Sequence, residues 1–156
     1  MKFAGKIVLA LGIVCFLMMY AGCKKHKDEP VPFTDQQLDL LNKAVWKVTA
    51  VTLGGVDKMS DYPNFQLTLS GTKGQTTFNF STSGRPALSP WPSSGQFTFV
   101  TGSTTNLSRN DTPPLTVQYA VTATNLNMSF SFTGNGYPNT SRVANVTGDW
   151  IFTFGH

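Results

Sequence analysis

The chain has 156 residues and a formal charge of +4. The charge is uneven: five lysines precede Asp28, and beyond residue 30 seven Lys and Arg face six Asp, so the body carries no electrostatic footprint for nucleic acid. Beyond residue 30 there is also no Glu, no Cys and no His but His156, which removes the parts of a thiol nucleophile, a zinc centre and a well-anchored Ser-His-Asp triad. No cofactor, no metal and no enzymatic activity are expected.

In chain order, the first element is an export leader. Lys2 and Lys6 precede an apolar run of 14 residues, Ile7 to Tyr20, and small residues lead to Cys23. Tyr20-Ala21-Gly22-Cys23 resembles the bacterial lipobox, in which the Cys thiol receives a diacylglycerol and the peptide is cut just before it. That resemblance implies a signal peptide over 1–22, lipidation of Cys23 with fatty acids such as palmitate, and membrane attachment through this N-terminal anchor. The competing reading is an uncleaved span, since Ile7 to Cys23 is 17 residues, the lower edge of a membrane-crossing helix. Residues 23–33 read as a charged tether stiffened by Pro30 and Pro32. Lys27-Asp28-Glu29 resembles the basic-then-acidic tag that directs some lipoproteins to the outer cell surface, so the expected address is the outer membrane, with surface display as the finer expectation.

A domain over 34–156 should open with a short helix. Thr34 is an N-cap candidate, Gln37 completes a capping box, and Phe33 with Leu38 suits a hydrophobic staple. Leu38, Leu41 and Val45 share one face, and the helix should end near Lys43. Thereafter the apolar period is two, as in Phe65, Leu67, Leu69 or Leu126, Met128, Phe130, Phe132. Strands are expected at about 45–53, 64–70, 75–82, 95–101, 105–109, 115–123, 125–133 and 147–154, each with one dry and one wet face. Pro86, Pro90 and Pro92 make 84–94 a long loop, and Gly134 to Asn139 a second one. Consecutive hairpins imply an all-β, small eight-stranded antiparallel up-and-down barrel with a short N-terminal helix. A two-sheet β-sandwich is the alternative.

Three segments carry a resemblance: Ala44-Val45-Trp46-Lys47-Val48 after the helix, Trp91 to Phe99, and Leu107 to Asp111. With the paired strands Leu126–Phe132 and Gly148–Phe154, they make the chain similar to bacterial lipocalin-like lipoproteins. The resemblance implies a barrel closed at one end by the helix, with Trp46 near that closed end, and names no activity.

Two binding readings follow from the residues. An eight-stranded barrel is just wide enough to be filled by side chains or to hold one small hydrophobic ligand. If a cavity exists, Phe99, Tyr119, Met128 and Phe130 are its lining candidates. Alternatively Tyr62, Trp91 and Tyr137, each beside a proline in a loop, offer flat faces to a glycan, or plug the strand ends. Asp57 with Asp61 reads as turn capping before paired-carboxylate catalysis. Asn106, Asn110 and Asp111 form only a thin calcium set.

Overall fold

The computed structural model describes residues 30–137 and 146–156; the leader, Cys23 and most of the tether lie outside the described residues, as does the far part of the loop after Gly134. The segment Val31–His156 is one compact unit. Its elements are α1 (Phe33–Leu41), β1 (Trp46–Leu53), β2 (Val56–Asp57), β3 (Gln66–Ser70), β4 (Thr77–Ser83), β5 (Ser94–Phe99), β6 (Asn106–Arg109), β7 (Leu115–Val121), β8 (Asn125–Phe132) and β9 (Gly148–Gly155). Each of the eight long strands pairs antiparallel with its neighbour in sequence, and β1 also pairs with β9, from Lys47 opposite Gly155 to Leu53 opposite Trp150. The sheet is thus a closed lipocalin-like barrel and not a two-sheet sandwich. Among the described residues no helix is long and apolar enough to cross a membrane.

Alternation explains why these segments are strands. On β8, Leu126, Met128 and Phe130 point inward while Asn127 and Ser129 point out, and on β7 Val117 and Tyr119 alternate with Thr116, Gln118 and Ala120. Aromatic and β-branched residues suit such a half-buried pleated surface. A dry interior and a Ser/Thr/Asn exterior is the reverse of the sidedness a barrel set in hydrocarbon requires. On β1 the alternation breaks at a bulge between Val48 and Ala50, and the extra residue turns Val51 back inward.

The antiparallel order gives the barrel two distinct ends. The helix end gathers α1, the start of β1, the finish of β9 and the turns at 71–76, 100–105 and 122–124. The loop end gathers 54–65, 84–93, 110–114, 133–137 and 146–147. At the helix end Leu38 and Leu41 are buried, and the Trp46 indole N–H donates to the Leu41 carbonyl at 2.9 Å. Gly71 makes this docking close: a Cβ there would lie 2.6 Å from the Phe78 Cβ and 2.9 Å from Leu38 Cδ1. Asp35 Oδ1 accepts the Gly74 N–H at 2.8 Å, and Asn42 donates from Nδ2 to the Gly71 carbonyl at 3.0 Å.

Several expectations are corrected here. The helix starts at Phe33 with Pro32 as N-cap, and no side-chain capping bond forms, so the Thr34 capping box is absent. Pro32 holds an extended φ of −51° and ψ of 142°, its carbonyl accepts the Asp35 and Gln36 N–H groups, and Gln36 reaches back to the Val31 carbonyl. Fixing the first turn two residues early places Phe33 on a partly exposed face, and Val45 is exposed as well. The β2 hairpin strand and a one-turn 3-10 helix at Met59–Asp61 are additions, too short to carry a periodic signal.

Candidate functional site

The barrel interior is packed with rings. Eight Phe and three Trp are buried, among them Trp91, which comes from the proline-rich loop and not from a strand. Ser89, Pro90 and Trp91 fold inward at the loop end. The Trp91 ring lies 5.5 Å from Phe130, 5.6 Å from Phe152, 5.8 Å from Phe80 and 6.0 Å from Phe65, mostly edge to face. These are favourable aromatic geometries. Phe80 in turn covers Gly95, the residue opposite it on β5, where a Cβ would come within 2.7 Å of the ring.

Beside Trp91 sits a buried cation. Arg109 is wholly inaccessible to solvent and points inward from β6. It donates from Nε and Nη2 to the two carboxylate oxygens of Asp111, both at 2.7 Å, and from Nη2 to the Pro90 carbonyl at 2.9 Å. Its guanidinium lies 5.2 Å from the ring centres of Trp91 and Phe130 and 5.8 Å from that of Tyr137. The planar fork suits both the bidentate carboxylate and the aromatic stack. Arg109 Nη1 and Trp91 Nε1 have no hydrogen-bond partner among the described residues. Burial raises the Tyr137 phenol, with the Asp111 carboxylate adding to it and Arg109 opposing.

The loop aromatics therefore act as plugs. Tyr62 and Trp91 are buried and present no face to a sugar, because the interior offers them more apolar surface than the rim. Tyr137 is half-buried, against Phe132 and Arg109. Burial, the largest cause, pushes the Tyr62 phenol up to about 12. Ser89 pulls the other way, although its contact falls short of hydrogen-bond geometry.

The expected cavity liners part company. Met128 is fully buried, and Phe130 stacks on Phe152 at 6.1 Å beneath Arg109, so both fill the core. Tyr119 stands opposite Met128 on the neighbouring strand and packs 6.4 Å from Phe99 near the helix end. Its hydroxyl is buried without a partner among the described residues, and burial pushes its pKa up to about 12.

Phe99 also lines an open cleft at the helix end. Phe33 and Thr34 of α1, Thr76, and Phe99 to Thr104 enclose about 400 Å³ with a wall that is mostly apolar. Phe33 and Val100 form its partly exposed lips. Sequence alternation identifies Phe99, whereas Phe33 and Val100 lie at a helix start and a turn, where no periodicity singles them out. At the loop end a second cleft of about 370 Å³ runs between Leu53, Lys58, Asp61, Tyr62, Pro86 and Trp150. A third, more polar trough crosses the outer face of β7, β8 and β9 along Gln118, Ser129 and Asp149.

The polar residues that could have served chemistry have structural tasks. Asp57 Oδ1 accepts the Met59 N–H at 2.8 Å, Asp61 faces Lys58 at 4.0 Å, and Asn110 Oδ1 accepts the Gln96 N–H at 2.8 Å. With Asp111 committed to Arg109, the Asn106, Asn110 and Asp111 set does not converge on a cation. Among the described residues no three His, Cys, Asp or Glu side chains gather as a metal site. Comparison with protein-family models, with curated proteins and with solved structures finds no match for this chain.

Proposed function

We propose that the chain is a membrane-anchored, extracytoplasmic binding module without catalytic activity. It is held by lipid on Cys23 in the outer membrane and takes a small apolar ligand in the cleft between α1 and the β5–β6 turn. The observation that carries the ligand reading is the cleft itself: an apolar, open concavity of about 400 Å³ whose lips, Phe33 and Val100, remain partly exposed. This volume falls within the range of small-molecule sites. The barrel interior is the poorer candidate because Trp91 and the stacked Phe130, Phe152 and Phe154 occupy it. The alternative, a glycan- or protein-binding accessory subunit at the cell surface, has the polar trough on β7–β9. Among the described residues it lacks a stacking face, since no Trp or Tyr stands among the exposed large hydrophobics.

The neutral fluorophore N-phenyl-1-naphthylamine tests the reading. One probe should bind per chain, be displaced by fatty acid, be lost in Val100→Asp and be kept in Trp91→Phe. Binding that survives Val100→Asp would move the ligand elsewhere. Metabolic labelling with palmitate reads the anchor: label should disappear in Cys23→Ala, and label that persists overturns the lipidation.

A further inference from the structure

We infer that the helix end is the face this domain turns toward the membrane, with Val31, Phe33 and Val100 at the lipid interface and a lipid acyl chain as the occupant of the cleft behind them. The inference rests on the anchored binding reading above and names its ligand.

The distribution of exposed apolar residues is the first support. Six large hydrophobics are exposed among the described residues, and four of them, Val31, Phe33, Val45 and Val100, lie at the helix end. Val56 is at the loop end, and Ile151 on the barrel wall. Isolated exposed apolar side chains need no explanation, but Phe33 and Val100 flank one apolar cleft, and Val31 is two residues from Phe33.

Chain geometry is the second support. Cys23 and Phe33 are ten Cα–Cα steps apart. Fully extended they span at most about 35 Å, so an anchor on Cys23 keeps the start of α1 within about that distance of the bilayer surface. The tether joins the domain at the lip of the cleft, which makes this the end that meets the surface most often.

Charge is the third support. Lys43 and Lys47 are exposed at the helix end and belong to no ion pair among the described residues. The acidic groups there are engaged: Asp39 pairs with Lys73 at 2.8 Å, and Asp35 accepts the Gly74 N–H. The loop end instead carries Asp57, Asp61, Asp111 and Asp149 against Lys58, Arg85 and Arg109, a net −1 among the described residues, where Lys43, Lys47 and Lys73 against Asp35 and Asp39 make the helix end +1. A surface containing anionic lipid favours the lysine-bearing end over the other. Apolar lips on an end that also carries lysines suit an interface where acyl chains lie beneath charged headgroups. A second copy of the chain or a protein partner would cover the same lips without acyl contact, so depth of lipid contact decides between occupants.

The test places one tryptophan at each end of the full mature chain, Val100→Trp in one variant and Val56→Trp in another. Each is reconstituted on vesicles of phosphatidylcholine and phosphatidylglycerol with brominated acyl chains. Emission is read per membrane-bound chain after flotation, against the unsubstituted chain as background, so loss of anchoring and loss of orientation register separately. The expected result is a blue shift and at least twofold bromine quenching of the residue at 100, with none at 56. Equal quenching at both ends, none at 100, or a blue shift at 100 without quenching would overturn the inference, the last pointing to a protein cover. If the residue at 100 is unquenched while the unsubstituted chain still binds the apolar fluorophore, the binding reading stands and the membrane-facing inference falls. Quenching at 100 without fluorophore binding does the reverse: the membrane-facing inference stands and the binding reading falls.

Discussion

The two ends of the barrel are sealed by different physics. The helix end is closed by Leu38, Leu41 and Trp46, apolar groups whose one buried polar atom, the Trp46 indole N–H, is satisfied by a backbone carbonyl. The loop end is closed by a cation, Arg109, which is tolerable there only because Asp111, the Pro90 carbonyl and three aromatic rings compensate for its lost hydration. An apolar seal degrades gradually as methylenes are lost, whereas a buried ion pair fails abruptly when one partner goes. The difference teaches where change is tolerated. The helix end can keep partly exposed apolar lips without threatening the core, while the loop end is committed to holding its own plug.

The largest effects should come from breaking the loop end. Arg109→Ala leaves Asp111 largely buried without its partner and should cost about 3–5 kcal/mol in urea unfolding. The double replacement Arg109→Met with Asp111→Leu should recover much of that loss. If the double variant is as unstable as the single one, the pair is not what makes this end brittle. Trp91→Ala should cost a similar ~3–5 kcal/mol by opening the centre of the ring cluster. At the helix end, Leu41→Ala should cost about 2–5 kcal/mol, and its effect should add to that of a second truncation there too distant to touch it, with no rescue by pairing.

Alkali probes both ends together. Tyr62 near the loop end and Tyr119 near the helix end each have a folded pKa raised from 10.0 to about 12. A raised pKa contributes stability that is complete below the unfolded value and is lost as pH climbs through the folded one. Unfolding free energy should therefore fall between pH 10 and 12, by at most about 1.4 kcal/mol per pH unit for each phenol. Phenolate absorbance should rise with unfolding, and early titration of either group would show it to be solvated. Smaller still, Asp35→Ala removes the bond to Gly74 and should cost about 1 kcal/mol. Tyr119→Phe, which deletes an unpartnered hydroxyl, should be close to neutral at pH 7.

Strand alternation made most of this fold legible, because every long strand has one wet face and one dry one. Phe97 with Phe99, or Leu126 with Met128 and Phe130, could be placed inward from spacing alone. The same rule marks Arg109: it shares the inward face with Leu107, and a charge in that register two residues before an aspartate is a readable sign of a buried pair. Trp91 was not legible as a central core residue. Its neighbours are prolines and serines with no period, and only the space left inside the assembled barrel decides that the loop turns inward. The Thr34 capping box failed because Pro32 fixes the first turn two residues earlier. Of the candidate site, Phe99 follows from the pattern. Phe33 and Val100 become a pair of lips only once α1 docks beside the β5–β6 turn.

The most direct test of the central claim, a ring-filled interior with the ligand held outside it at the helix end, is an NMR titration of the full chain in lipid nanodiscs with N-phenyl-1-naphthylamine. Perturbations confined to Phe33, Thr34 and the amides from Phe99 to Thr104, with the Trp91 and Trp150 indole signals and the Met128 methyl unmoved, are the predicted result. Shifts centred on Trp91, Met128 and Phe152 would contradict it, because they would place the probe inside the barrel.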